Sequence, residues 1–155
     1  MGSELNQIER STFIRAPRSR VWRVITALGE FCRWFQCETP AAAFEPGTPM
    51  PMTSTYPGEH YGAKFSLTVA EMTPEHTFRW RWHPGAPMAG EDLSHESETL
   101  VTFSLEEVEG GTRVTLTETG FDQLFASRRK RAFEDNNEGW RIQLEALDRY
   151  ASDAS

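Results

Sequence analysis

Four stretches of this chain alternate apolar and polar residues one by one. Ala63 to Met72 sets Ala63, Phe65, Leu67 and Val69 against Lys64, Ser66 and Thr68. Thr77 to His83 sets Phe78, Trp80 and Trp82 against Arg79, Arg81 and His83. Thr99 to Leu105 gathers Thr99, Val101, Phe103 and Leu105 on one side, and Arg113 to Thr119 gathers Val114, Leu116 and Glu118. Successive side chains of a strand point to opposite faces, so this period predicts antiparallel strands with one covered and one wetted face. Gly110-Gly111 is a hairpin signal between the last two. A sheet of this kind cannot stand alone, and the rest of the chain must cover its apolar face.

The cover comes from the C-terminal end. Ser127 to Ala151 predicts one long helix, with Phe133, Asn137, Trp140, Leu144, Leu147 and Ala151 recurring at spacings of three and four. The helix opens on Arg128, Arg129, Lys130 and Arg131. Cations are unfavourable at a helix N-terminus, so this run serves either as a solvated end or as a contact for an acidic partner or phosphate. At the other end of the chain, Ile8 to Arg15 reads as a strand. A helix is expected to begin at Pro17, where the missing N–H costs nothing, and Val21, Val24, Ile25 and Leu28 keep helical spacing. Gly29 marks a break before further turns over 30–35. Pro40, Pro46, Pro49, Pro51 and Pro57 follow, so the short strands expected around Ala42–Glu45 and Met52–Tyr56 should be edge or broken ones.

The layout is α+β: one strand, a helical pair, a strand-rich middle and a long helix, forming a single domain over 1–155 with its core over about 8–151. A twisted sheet of about six or seven strands curling around one helix leaves a hollow between them. With 16 basic and 23 acidic residues the net charge is −7, which argues against nucleic-acid binding and adsorption to anionic lipid. No apolar run approaches the roughly 18 residues of a membrane span. Met1 to Leu5 carries no basic region followed by an apolar stretch, so a cytoplasmic setting is expected.

An ordered set of residues carries a resemblance. Ile14-Arg15-Ala16-Pro17 with Val21-Trp22, then Arg33-Trp34-Phe35, then Val114 to Phe121, and finally Asn137 with Gly139-Trp140, Leu144 and Leu147 are similar to the START-like (SRPBCC) superfamily. Within it, the chain resembles most the AHSA1-like branch, named for the activator of Hsp90 ATPase. The resemblance implies a helix-grip (Bet v1-like) fold, in which a curved antiparallel sheet holds the C-terminal helix over a deep apolar cavity. It implies binding of lipids, polyketides or other apolar molecules, with cyclisation or dehydration in some members. Hsp90 activation is not expected, because the eukaryotic co-chaperone is similar only in its C-terminal half and engages Hsp90 through a separate N-terminal domain.

Glu118 is the most informative polar residue. The period of two points it at the covered face, where a carboxylate is expensive unless paired or wetted. It can be a polar pin holding a Trp N–H, an Arg or a helix group, a ligand contact, or an acid/base catalyst. Phe78, Trp80 and Trp82 share a face with Phe65 and Leu67, and Phe103 lies beyond. These residues are expected to line the hollow, as core first and ligand contacts second. Asn137 interrupts the apolar stripe one turn before Trp140, so it either pairs with the sheet or points into the cavity. Gly139 is read as allowing close approach of the helix to the sheet or the helical pair.

His60, His76, His83 and His95 show no metal-ligand spacing, so neither metal nor cofactor is expected. Cys32 and Cys37, taken as residues of one helix, would face different directions and stay reduced thiols. Three functions follow in order: binding of a small apolar ligand, with the segment 46–58 and the loop 84–92 gating entry; a cyclase or dehydratase using Glu118; and a protein-interaction module.

Overall fold

The alternating runs pair in sequence order. The computed structural model describes residues 6–58, 60–84 and 92–153. Strands β4 (Lys64–Thr73), β5 (Thr77–Trp82), β6 (Thr99–Val108) and β7 (Gly111–Thr119) form consecutive antiparallel pairs. Strand β1 (Gln7–Ile14) adds to β7, and β3 (Met50–Ser54) then β2 (Cys37–Glu38) extend the opposite edge. The seven-stranded order is β1-β7-β6-β5-β4-β3-β2. Curled around the C-terminal helix, this sheet is the α+β helix-grip architecture.

The period of two decides which side chains go inside. Val101, Phe103, Val114, Leu116, Phe78 and Trp80 are fully buried, while Arg113, on the other face of β7, is exposed. A bulge between Val69 and Glu71 resets the phase of β4, so that Met72 lies opposite Phe78. At the β6–β7 turn Gly110 takes φ +88°, and a Cβ on Gly111 would collide with the Ile14 carbonyl oxygen. Both glycines are required there by geometry.

Helices α1 (Arg18–Thr26) and α2 (Leu28–Phe35) connect β1 to β2. Pro17 sits just outside α1 as its N-cap. The break between the two helices falls at Ala27, not at the expected Gly29. Ala27 has extended backbone (φ −79°, ψ 114°) and caps both helices, while Gly29 fits in the first turn of α2. Trp34 donates its indole N–H to the Val24 carbonyl at 3.0 Å, which locks the two helices together. Residues 42–45 form no strand; the strand that follows α2 is β2, and it contains Cys37. Gln36 ends α2 with φ 62° and folds the chain back, so Cys37 Sγ lies 3.4 Å from Cys32 Sγ. The expectation of two divergent thiols on one helix is therefore wrong, because the helix stops between them.

Helix α3 (Ala126–Asp153) spans 28 residues, about 42 Å. It buries Ala132, Trp140, Leu144, Leu147 and Ala151. It also buries Arg128, 1% exposed, which corrects the solvated-end reading for that residue of the basic run, whereas Lys130 is exposed. Arg128 forms an ion pair with Glu96 at 3.0 Å and donates to the Pro84 carbonyl at 2.6 Å. Glu96 in turn accepts the Phe125 backbone N–H at 3.0 Å. Among the described residues no helix is long and apolar enough to cross a membrane.

Candidate functional site

The interior divides into a packed half and an open half. In the packed half Trp80 is surrounded by rings, with centroids of Phe103 and Trp82 at 5.4 Å, Phe78 at 5.6 Å and Phe31 at 5.8 Å. Such edge and tilted contacts pack Phe78, Trp80 and Phe103 closely together. Of the expected contact residues, Phe78, Trp80, Leu67 and Phe103 are fully buried and do not line the two lobes described next.

The open half lies between α3 and strands β3 to β5. Two connected lobes of about 400 and 420 Å³ share Phe35, His60, Trp82, Asp135 and Asn136. Trp82 and Phe65 form the sheet wall, and Phe35 enters from the end of α2. Asn136, Gly139, Trp140 and Gln143 present one face of α3, at the three- and four-residue spacing that a helix face requires. Tyr56 and His60 stand on the rim. Ring centroids of Phe35, Trp82 and Trp140 lie within 6.2 Å of one another, so the walls meet as a continuous aromatic surface. Of the segment 46–58, Ser54 and Tyr56 reach the cavity. Of the loop 84–92, residues 85–91 lie outside the described ones.

Glu118 lies behind this wall, fully buried. Its Oε2 accepts Thr99 Oγ1 at 2.6 Å and Trp82 Nε1 at 2.9 Å, and its Oε1 accepts Trp140 Nε1 at 2.8 Å. Asn136 Nδ2 adds bonds to both oxygens at 3.0 and 3.1 Å. Indole and amide N–H groups can only donate, so the carboxylate serves as their common acceptor. It joins β5, β6, β7 and α3 at one point and orients both indoles of the cavity wall. This is the pin arrangement, with the pinned groups themselves forming the site.

Asn137 takes the sheet-pairing alternative, accepting Arg10 Nε at 3.1 Å from β1, and its neighbour Asn136 faces the cavity. One residue along a helix is about 100° of rotation, so the apolar stripe was not sharp enough to separate the two. Gly139 makes no close approach: a Cβ there would meet nothing within 4 Å. Phe35, Tyr56, His60, Asn136 and Gln143 were missed as site residues. Phe35 had a visible signal, being the last aromatic before the chain leaves α2, whereas Gln143 reaches the site by donating to the Phe35 carbonyl at 3.1 Å. Among the described residues no three His, Cys, Asp or Glu side chains converge as a metal cluster would require. On the α3 rim Glu138 is held below the usual carboxylate range by its hydrogen bond to Arg141.

A curved seven-stranded sheet around a long helix, with an aromatic cavity between them, defines a START-like helix-grip domain. Residues 15–152 match the family model described as activator of Hsp90 ATPase homolog 1-like protein, and the chain belongs to that family. Solved structures agree on the fold. The Mesorhizobium loti protein MLL2253 superposes with TM-score 0.74 at 19% identity, covering 96% of this chain and 98% of its own. An Arthrobacter aurescens protein gives 0.76 at 18%, covering 98% and 89%. The Aha1 protein of Colwellia psychrerythraea, solved as a dimer, gives 0.69 at 17%, covering 96% and 98%. No curated protein matches the chain in sequence.

Proposed function

We propose that this protein binds an apolar or amphipathic small molecule, lipid-like or polyketide-like, in the cavity between the sheet and α3. The observation that carries the proposal is Gly139. A glycine inside a helix costs about 1 kcal/mol relative to alanine, and here no neighbouring protein atom requires it. Its bare backbone faces the lobe walled by Trp140, Trp82 and Phe35. A ligand lying flat on those rings gains from a helix surface it can approach closely. The cavity volume falls in the range of small-molecule sites, and its apolar walls with a few polar groups at the rim match their usual chemistry.

Glu118 contributes by fixing the tilt of Trp82 and Trp140. With both oxygens occupied by protein donors, it has no vacant position facing the cavity from which to exchange a proton with a substrate, and the geometry favours binding over Glu118-based acid/base chemistry. Native mass spectrometry of freshly purified protein should show a population heavier by one small molecule. Gly139→Leu should remove that population while the fold persists by circular dichroism. A ligand-free mass, combined with no binding of the apolar probe anilinonaphthalene sulfonate, would overturn the proposal.

A further inference from the structure

We propose that Cys32 and Cys37 form a reversible oxidation site, closing to an intramolecular disulfide when a hydroperoxide reaches Cys32. The two thiols lie on different elements, the last turn of α2 and strand β2, and Gln36 brings them together by adopting left-handed backbone (φ 62°, ψ 74°). Left-handed backbone at a residue other than glycine is uncommon and needs surrounding structure to hold it. Here the Gln36 N–H bonds to the Cys32 carbonyl, and its carbonyl accepts the Thr55 N–H at 2.9 Å. The result is a sulfur–sulfur separation of 3.4 Å, about 1.4 Å longer than a bonded pair.

The two sulfurs are not equivalent. Cys37 is buried and donates its S–H to Cys32, which is only partly covered. The bond lowers the pKa of the Cys32 thiol, whereas donation and burial raise that of Cys37. Cys32 is thus the more accessible thiol and the nucleophile, and Cys37 the resolving thiol, a division found where a thiolate is accessible next to a second cysteine. The Cys32 thiolate attacks one peroxide oxygen, breaking the O–O bond and releasing an alcohol, or water from hydrogen peroxide, once a proton is taken up. This leaves a sulfenic acid on Cys32. The Cys37 sulfur then attacks the Cys32 sulfur and expels hydroxide, which leaves as water with the Cys37 proton. The two sulfurs lose two electrons in all, and the peroxide gains them.

Closure draws together the ends of a turn that contains Phe35. The Phe35 ring lines both lobes of the cavity, and its carbonyl is held by Gln143 of α3. Oxidation therefore acts on a cavity wall as well as on the thiols.

The test uses the whole reduced protein, treated with hydrogen peroxide and then with dithiothreitol. Intact mass should fall by two hydrogen atoms with the chain still monomeric by mass, peptide mapping should join Cys32 to Cys37, and dithiothreitol should reverse both changes. In Cys37→Ser, dimedone should trap a sulfenic acid on Cys32. Near-ultraviolet circular dichroism, which reports fixed aromatic packing, should differ between the two forms. A disulfide between chains, a sulfinic acid on Cys32 without ring closure, or two surviving free thiols would overturn the site. Identical aromatic spectra after closure would overturn its link to Phe35. None of these readouts depends on a ligand, so they fail or succeed independently of the binding proposal.

Discussion

Two buried carboxylates in this protein are stabilised in opposite ways. Glu96 is matched by a cation: Arg128 approaches it with Nε and Nη2 at 3.0 to 3.2 Å, and a backbone N–H completes the set. Among the described residues Glu118 has no cation as a hydrogen-bond partner, its partners being neutral donors from Trp82, Trp140, Asn136 and Thr99. The first arrangement neutralises charge and ties two chain segments together, residues on either side of 85–91 being held to the start of α3. The second gathers neutral donors and aims two indoles. A stability clamp can hide in the core, whereas an orienting carboxylate has to sit where its donors form the wall of a cavity.

The comparison can be tested by substitution. Arg128→Met should have the largest effect, about 3–5 kcal/mol of lost stability by chemical denaturation, because it leaves Glu96 buried without its partner. Replacing both residues, as Arg128→Met with Glu96→Leu, should recover much of that loss. If the double variant were no better than the single one, Glu96 would not be the partner that matters. Glu118→Gln keeps the shape but puts an amide N–H₂ where an acceptor is needed, so about 1–3 kcal/mol should be lost. Its near-ultraviolet spectrum should change more than that of Arg128→Met compared at equal folded fraction; the reverse order would remove the orienting role. Thr99→Val removes one of the donors to Glu118 at nearly constant volume and should cost about 1 kcal/mol. Gly139→Ala should have the smallest effect and the opposite sign, a gain of about 0.5–1 kcal/mol with weaker retention of any co-purified molecule. A loss of stability there would mean that the helix face is already filled.

The same contrast explains what the sequence made legible. The β4 to β7 strands were readable because each carries its own alternation, a local property that survives whatever the rest of the chain does. Glu118 could be placed on the inner face by that alternation alone. Its role could not, because the four donors come from three other elements. Arg128 looked like part of a charged surface run, and only its partner Glu96, distant in sequence, shows why it is inside. The proline-rich stretch misled for a related reason. Strand β2 is a two-residue edge paired to β3, and β3 is short and pairs in turn with β4, so residues 42–45 and 50–54 look alike until the sheet is assembled. Cys37 was misplaced because a single left-handed residue, Gln36, ends the helix without the usual glycine.

The sheet has a first strand that must wait for the last. Gln7 lies opposite Thr119, so among the described residues β1 pairs with β7 alone, more than a hundred residues on, while every other neighbouring pair joins segments much closer in sequence. Bringing such distant segments together carries a loop-closure cost before any contact is gained, which slows folding relative to a chain of local contacts. During synthesis the N-terminal strand and the helical pair are made long before β7, and the groove that α3 fills is completed only when the final helix arrives. A nascent chain of this protein therefore exposes its aromatic face until α3 has been made, and that one helix decides when the exposure ends.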